Sequence, residues 1–129
     1  HGLEDLIQIL PPVGYLEALR ELQRADALLV LQSADCGDQI PAKVYEYFRA
    51  HKPVLGLCGE QGDTWELMHR AGHRHFAPLE SPQHVQATLV AFLDGLGRSE
   101  LPGSKPGFVA AASRHSRAAE LALVLDETT

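Results

Sequence analysis

Residues 40–57, IPAKVYEYFRAHKPVLGL, join a short amphipathic helix to an apolar strand, and this junction decides the fold class. Val44, Tyr47 and Phe48 follow the i, i+3, i+4 spacing of one helix face. The segment PVLGLC at 53–58 is a continuous apolar run, which is typical of a strand buried on both faces of a parallel sheet. The stretch therefore predicts a helix that leads directly into a buried parallel strand.

The same alternation of strand and helix extends in both directions along the chain. Strands are predicted at LIQIL (6–10), ALLVLQ (27–32), PVLGLC (53–58) and HFAP (75–78), with helices at 15–25, from Pro41, over 63–72, from Ser81 and over 113–126. ALLVLQ is also a continuous apolar run and is predicted to be buried on both faces. Alternating strands and helices favour an α/β fold with a parallel sheet and right-handed crossovers. Ligands of such sheets bind beyond the carboxyl ends of the strands, where the loops SADCGDQI and CGEQGD are predicted.

Length and charge narrow the classes of protein. A chain of 129 residues fits a single α/β domain with a real core. Within it, residues 97–113 are predicted as a surface connector to the final helix, which turns Leu121 and Leu125 inward. A net charge of −6 argues against nucleic-acid binding. Two cysteines make no disulfide framework and favour a cytoplasmic setting. No apolar run approaches the ~20 residues of a membrane-spanning helix, and no signal peptide is visible.

The loop and helix at 33–47 suit an anionic ligand that also carries hydroxyl groups. A helix start presents unpaired N–H groups and partial positive charge, which attract phosphate. Lys43 in the first turn opposes the helix dipole but could neutralise an anion. Glu46, one turn later, could accept hydrogen bonds from the hydroxyls of a ribose, and Asp38 adds a second acid. The alternative is that Asp38 caps the helix while Lys43 and Glu46 lie on a solvated face, and both interpretations stay open here.

A resemblance to a known family rests on four segments, which are RADALLVLQS (24–33), the acids Asp38 and Glu46 in a D-x7-E spacing, KVYEYFRAHKPVLGL (43–57) and CGEQGDTWELM (58–68). Together they resemble the C-terminal domain of retaining, nucleotide-sugar-dependent glycosyltransferases with the GT-B fold, family 4 or group 1. The resemblance spans about residues 5–96. It implies a Rossmann-like parallel sheet flanked by helices, without the first strand–helix units of that domain.

The resemblance assigns most of the donor-nucleotide contacts. Glu46 would hold the ribose hydroxyls of the nucleotide-sugar, because it matches the second acid of the family's E-x7-E motif. The amides of Ala42 and Lys43 match those that bind the diphosphate. Val13 matches a valine whose main chain meets the base, although Pro11 replaces the family's customary glycine.

The residues that the resemblance assigns to the transferred sugar and to catalysis lie in the two loops. Asp38 matches the first acid of the motif, which contacts the transferred sugar, but it is one methylene shorter than the family's glutamate. The glycine loop of the family corresponds to Gly59, Glu60, Gln61 and Gly62. Asp38 is therefore the candidate catalytic residue, and the departure from glutamate affects the geometry around the sugar.

The resemblance also implies an activity and its partners. The activity is transfer of a hexose-like sugar from a nucleotide-sugar to an acceptor with retention, the leaving diphosphate being stabilised electrostatically. No metal and no cofactor besides the donor substrate are implied. The acceptor, and any membrane association, would belong to an N-terminal domain outside this chain, and a basic diphosphate clamp would belong to the first strand–helix units of the present domain, which the chain lacks. This piece is therefore expected to be inactive alone. LIQIL is expected to pair beside ALLVLQ or to leave a strand edge open to self-association.

Other interpretations of the sequence remain. A non-catalytic α/β nucleotide-binding or interaction domain of the same fold is the alternative function, and a nucleotide-sugar epimerase is a weaker one. His69, His73 and His75 suggest a metal site with Glu66 or an exposed basic loop, and the glycine at 72 between them favours the loop.

Three further side chains are open to two interpretations each. Cys58 is either a nucleophile or a buried structural thiol, and no paired base is evident. Trp65 and Tyr45 either stack on a base or pack in the core.

Overall fold

Three parallel strands and six α-helices make up the described part of the chain, residues 2–3 and 5–127 of a computed structural model. The strands are β1 (Leu28–Leu31), β2 (Val54–Leu57) and β3 (His75–Ala77). The helices are α1 (Tyr15–Arg24), α2 (Lys43–Ala50), α3 (Asp63–Ala71), α4 (Pro82–Gly97), α5 (Pro106–Ala111) and α6 (Arg114–Glu127), and a 3₁₀ turn occupies Ala34–Cys36. The alternation of helix and strand from α1 to α4 confirms the predicted α/β class.

The strands form one parallel sheet in the order β1-β2-β3. Leu28 lies opposite Val54 across the first pair, and Leu55 lies opposite His75 across the second. Helices cover both faces of this sheet, because Val30 and Phe48 belong to a core with α2, α3 and α5, whereas Leu55 packs with α4 on the other side. The predicted Rossmann-like parallel sheet flanked by helices is confirmed at this level.

The prediction of a strand at residues 6–10 is wrong. These residues form no strand, and their apolar side chains are exposed, Ile9 by 92%. A strand is stabilised by hydrogen bonds to a neighbouring strand, and this segment has none. Its start is turned instead, since the carbonyl of Leu3 accepts hydrogen bonds from the amides of Leu6 and Ile7.

Strand β1 is buried on one face only, which corrects the prediction for ALLVLQ. Leu28 and Val30 are buried, but Leu29 and Leu31 are 43% and 52% exposed. Helix α4 packs mainly against β3 and less against β2, and Leu29 and Leu31 on that side of β1 stay exposed. Strand β2 is buried on both faces, as predicted.

The outer edge of β1 is partly covered by a side chain of α2. The amide of Leu28 donates to the carbonyl of Pro53, and the amide of Gln32 donates to the carbonyl of Leu57 in β2. The backbone N–H and C=O groups of the even-numbered residues therefore point towards β2. Leu29 therefore turns its carbonyl to the outer edge, where the Tyr47 hydroxyl donates to it at 3.4 Å. A tyrosine, and not residues 6–10, meets this edge.

Residues 97–113 are not simply the predicted surface connector. Ser104 is buried, and the amide of Lys105 donates to the carbonyl of Ala71 at 2.8 Å. Helix α5 follows, with proline at its start where the missing N–H costs nothing, and it places Phe108 edge-on to Phe48 at 5.6 Å between ring centroids. The segment thus closes one side of the core.

Helix α6 lies on this outer layer and buries none of its residues. Leu121 and Leu125, predicted to point inward, are 59% and 58% exposed. Among the described helices, none combines the length and the apolar character needed to cross a membrane.

Candidate functional site

The loop that follows β1 is fixed by two buried polar side chains. The Nε2 of Gln32 donates to the carbonyls of Cys36 at 2.8 Å and Gln39 at 2.7 Å. The Thr64 hydroxyl donates to the same Gln39 carbonyl at 2.8 Å. Sequence reasoning missed both side chains. The signal was available in Gln32, a polar residue at the end of an apolar strand, because such a buried group needs hydrogen-bond partners.

The loops after β1 and β2 meet at the carboxyl edge of the sheet. The amide of Asp63 donates to the carbonyl of Gly37 at 2.9 Å. A Cβ on Gly62 would lie 2.8 Å from that carbonyl oxygen, so only glycine permits this approach. Asp38, next in the chain and exposed, is thereby held at the same edge as the glycine loop.

The start of α2 leaves two backbone amides without partners. The amides of Val44 and Tyr45 donate to the carbonyls of Pro41 and Ala42 at 3.0 and 3.2 Å. In contrast, the amides of Ala42 and Lys43 donate to no acceptor within the described ranges. Such helix-start amides, with the partial positive charge of the helix end, are suited to an anion.

A cleft of about 870 Å³ lies beside α2. Its walls include Ala42, which precedes α2, Glu46 and Arg49 from α2, Tyr15 from α1, and Arg114 and Arg117 from α6. Its volume is within the range of small-molecule sites. The cleft therefore joins the start of α2 to the start of α6, two elements far apart in the sequence.

Glu46 is half-buried in this cleft and unengaged. Its carboxylate forms no hydrogen bond or ion pair with any residue of the described part of the chain. Burial raises the pKa of the adjacent Tyr47, and the Glu46 carboxylate adds to this shift. Glu46 thus offers two free acceptor oxygens to whatever occupies the cleft.

The predicted site residues fall into four places. Ala42 and Glu46 line the cleft. Four others belong to the two loops at the carboxyl edge, Gly59 and Gly62 half-buried, Asp38 and Glu60 exposed. Lys43 is exposed at the first residue of α2, and Val13 is 45% exposed in the irregular segment before α1, outside the lining of the cleft.

The three histidines of 69–75 have separate packing partners. His73 is buried, and its Nε2 lies 2.9 Å from the Ser104 hydroxyl. The His69 ring stacks on Trp65 at 5.0 Å, and His75 meets Phe92 edge-on at 5.4 Å. Nowhere in residues 2–3 and 5–127 do three or more His, Cys, Asp or Glu side chains group as metal ligands.

Cys58, Trp65 and Tyr45, which the sequence left with two interpretations each, all make packing contacts in the structure. Cys58 is only 1% exposed, and burial raises its pKa to about 11, which keeps the thiol protonated and poorly nucleophilic. Trp65 packs between His69 and Phe76. Tyr45 meets Phe48 edge-on at 6.2 Å and also lines the cleft, so its ring is available to a ligand.

Comparisons of the chain with protein-family models, curated proteins and solved structures gave no match. Its function is therefore inferred from the cleft, from the loops beside it and from the motif residues.

Proposed function

We propose that this chain is the donor-binding part of a retaining glycosyltransferase, and that the cleft beside α2 binds the nucleotide of a nucleotide-sugar. The observation that carries the proposal is the unengaged Glu46 carboxylate, half-buried in a cleft that also begins at the start of α2. The D-x7-E spacing of Asp38 and Glu46 supports the same choice. The acceptor, in this proposal, is bound by a further domain of a longer protein.

The chemistry of the ligand follows from the groups at the cleft. The two oxygens of Glu46 accept hydrogen bonds from the two hydroxyls of a ribose, a charge-assisted arrangement that is stronger than a neutral one. The free amides of Ala42 and Lys43 donate to the diphosphate. Sugar transfer leaves new negative charge on that diphosphate, and preorganised donors at the helix start stabilise it. The proposal requires no metal.

A second candidate is a non-catalytic nucleotide-binding domain of the same fold. It is favoured by the position of Asp38, which is exposed and does not belong to the lining of the cleft. In the transferase, Asp38 contacts the transferred sugar. In the non-catalytic domain it contacts no part of the ligand. The two candidates therefore differ at Asp38 and agree at Glu46.

The experiment that tests nucleotide binding is calorimetric titration of the chain with UDP, GDP and ADP. We expect one of them to bind and Glu46→Gln to weaken it about tenfold or more, because charged hydrogen bonds contribute roughly 1.5–3 kcal/mol each. Glu66→Gln, an exposed acid on α3 outside the cleft, is the matched control and should bind as the wild type does. Equal affinities in Glu46→Gln and the wild type would sink the proposal.

A second titration separates the two candidates. The nucleotide that binds is compared with its sugar conjugates in the wild type and in Asp38→Asn. If the chain is a donor site, Asp38→Asn weakens the nucleotide-sugar and leaves the nucleoside diphosphate unchanged. If Asp38→Asn changes neither affinity, the non-catalytic domain is the better description.

A further inference from the structure

Three guanidinium groups share the cleft with Glu46. They belong to Arg49 of α2 and to Arg114 and Arg117 of α6. Among the described residues that line the cleft, the charges sum to three positive less one negative, or +2, although the whole chain carries −6. A cavity of opposite sign to the rest of the protein concentrates a field that draws in anions.

Within residues 2–3 and 5–127, two of these guanidinium groups have no carboxylate partner and the third has an exposed one. Arg49 and Arg114 form no ion pair with a carboxylate of the described ranges. Arg117 pairs with Glu120 at 2.9 Å, but both side chains are more than half exposed, and an exposed pair of this kind is weak. Glu46 lies beyond ion-pair distance of all three arginines, so their positive charge is available to a ligand.

The position of the two α6 arginines is unfavourable for the helix alone. Arg114 and Arg117 occupy the first turn of α6, which holds no acidic residue. Cations at a helix start oppose the helix dipole. The amide of Ser116 is satisfied by the Ser113 hydroxyl at 3.1 Å, so the turn is formed without an acidic cap. An anion in the cleft would offset the unfavourable charges at this helix end.

Aromatic and apolar groups occupy the rest of the lining. Tyr15 and Tyr45 line the cleft with aromatic side chains, and Val109 contributes apolar surface. This combination suits an organic phosphate, whose ring packs on aromatic groups while its hydroxyls and phosphates meet charged ones.

We infer that Arg114 and Arg117 bind the phosphate groups of the ligand, with Arg49 adding charge, and that the ligand is an organic diphosphate whose hydroxyls face Glu46. The nucleotide part of this inference rests on the proposed function. Planar guanidinium groups bind phosphate oxygens through paired hydrogen bonds. The last helix of the chain thus provides a basic diphosphate clamp within the described residues.

Calorimetric titrations of the 129-residue chain test the clamp with inorganic pyrophosphate and with UDP, GDP and ADP as probes. The double variant Arg114→Gln/Arg117→Gln is compared with the wild type. We expect it to weaken pyrophosphate and the preferred nucleotide at least about tenfold each, as loss of charged hydrogen bonds predicts. Arg98→Gln is the matched control, because Arg98 follows α4 on the other side of the sheet, and it should stay within about twofold of the wild type.

Glu46→Gln separates this inference from the proposed function. If pyrophosphate binding depends on the two arginines while no nucleotide binds, the clamp stands and the proposed function fails. If a nucleotide binds and depends on Glu46 but not on the arginines, the proposed function stands and the clamp is overturned. Absence of pyrophosphate binding in the wild type also overturns the clamp. Thermal unfolding of each variant tests whether the substitution leaves the fold intact.

Discussion

Lowering the pH should destabilise this protein through His73. The ring is 3% exposed, its Nε2 lies 2.9 Å from the Ser104 hydroxyl, and it stacks on Phe48 at 6.0 Å. Burial, with Arg74 adding a like charge, lowers the pKa of His73 from 6.5 to about 4. A proton on this ring would place a charge among apolar groups, and the folded state therefore keeps the ring neutral.

The sign and size of the effect follow from the two pKa values. Between pH 6.5 and about 4 the unfolded chain binds a proton that the folded chain excludes. Stability from this group is fully present above pH 6.5 and decreases as the pH falls towards 4. Since each pKa unit corresponds to about 1.4 kcal/mol, the loss is about 2 kcal/mol at pH 5 and about 3 kcal/mol at pH 4.

Urea denaturation of the wild type and His73→Gln, from about pH 7.5 to about pH 4.5, measures this contribution. Carboxylates also titrate in this range, so the relevant quantity is the difference in free energy of unfolding between the two proteins. That difference should narrow, or reverse in favour of the variant, by about 2 kcal/mol as the pH falls to 5. His115→Gln, on the exposed α6, controls for removing a histidine. Parallel curves for the wild type and His73→Gln would refute the reasoning.

Two further predictions concern loop packing, each measured by urea denaturation at neutral pH. Gln32→Ala removes two hydrogen bonds to loop carbonyls and should lower the free energy of unfolding by about 1–2 kcal/mol. The control Gln86→Ala, on the exposed face of α4, should lower it by less than about 0.5 kcal/mol. Equal losses of stability in the two variants would contradict a structural role for Gln32. Gly103→Ala places a Cβ against the carbonyl of His51 and should cost about 1–3 kcal/mol. Gly107→Ala meets open space within α5 and should be neutral or stabilising by up to about 1 kcal/mol, so a stable Gly103→Ala would contradict the close contact.

The sequence predicts those parts of the fold that are governed by local pattern. Strand β2, the α2 helix before it and the parallel order of the strands follow from apolar periodicity and from alternation of strand and helix. Strand β1 shows where this information ends. LLVL is equally apolar on both faces, but whether Leu29 and Leu31 are covered depends on where α4 packs, and α4 is a tertiary neighbour.

The predicted strand at residues 6–10 and the predicted burial of Leu121 and Leu125 in α6 were wrong for the same physical reason. Both segments are rich in apolar residues, and local pattern therefore favours their burial. Burial requires a packing partner, and within the described structure Ile9, Leu121 and Leu123 remain exposed. For residues 97–113 the prediction underestimated burial. Their Gly, Pro and Ser content indicates a loop, but Ser104 is held inside by His73, which no local pattern reveals.

Only those residues of the candidate site that belong to a short sequence motif could be predicted. Glu46 and Ala42 were identified from the helix start and from the D-x7-E spacing, and both line the cleft. Arg114 and Arg117 were not identified, because they reach the cleft only through the path of the chain after α5. The available signal was local, namely two arginines in the first turn of a helix without an acid.

The contact between Gly37 and Gly62 has a consequence for how this protein can vary. The two loops touch there through main-chain atoms, and the buried Thr64 hydroxyl connects them again at the Gln39 carbonyl, so the distance between them is set by buried contacts. Asp38 and Glu60 project from those loops and are exposed. Substitution at either position can therefore change the charge of this edge without changing the distance between the loops. The buried contacts thus fix the shape of this edge, while mutation of its exposed residues can alter its charge one residue at a time.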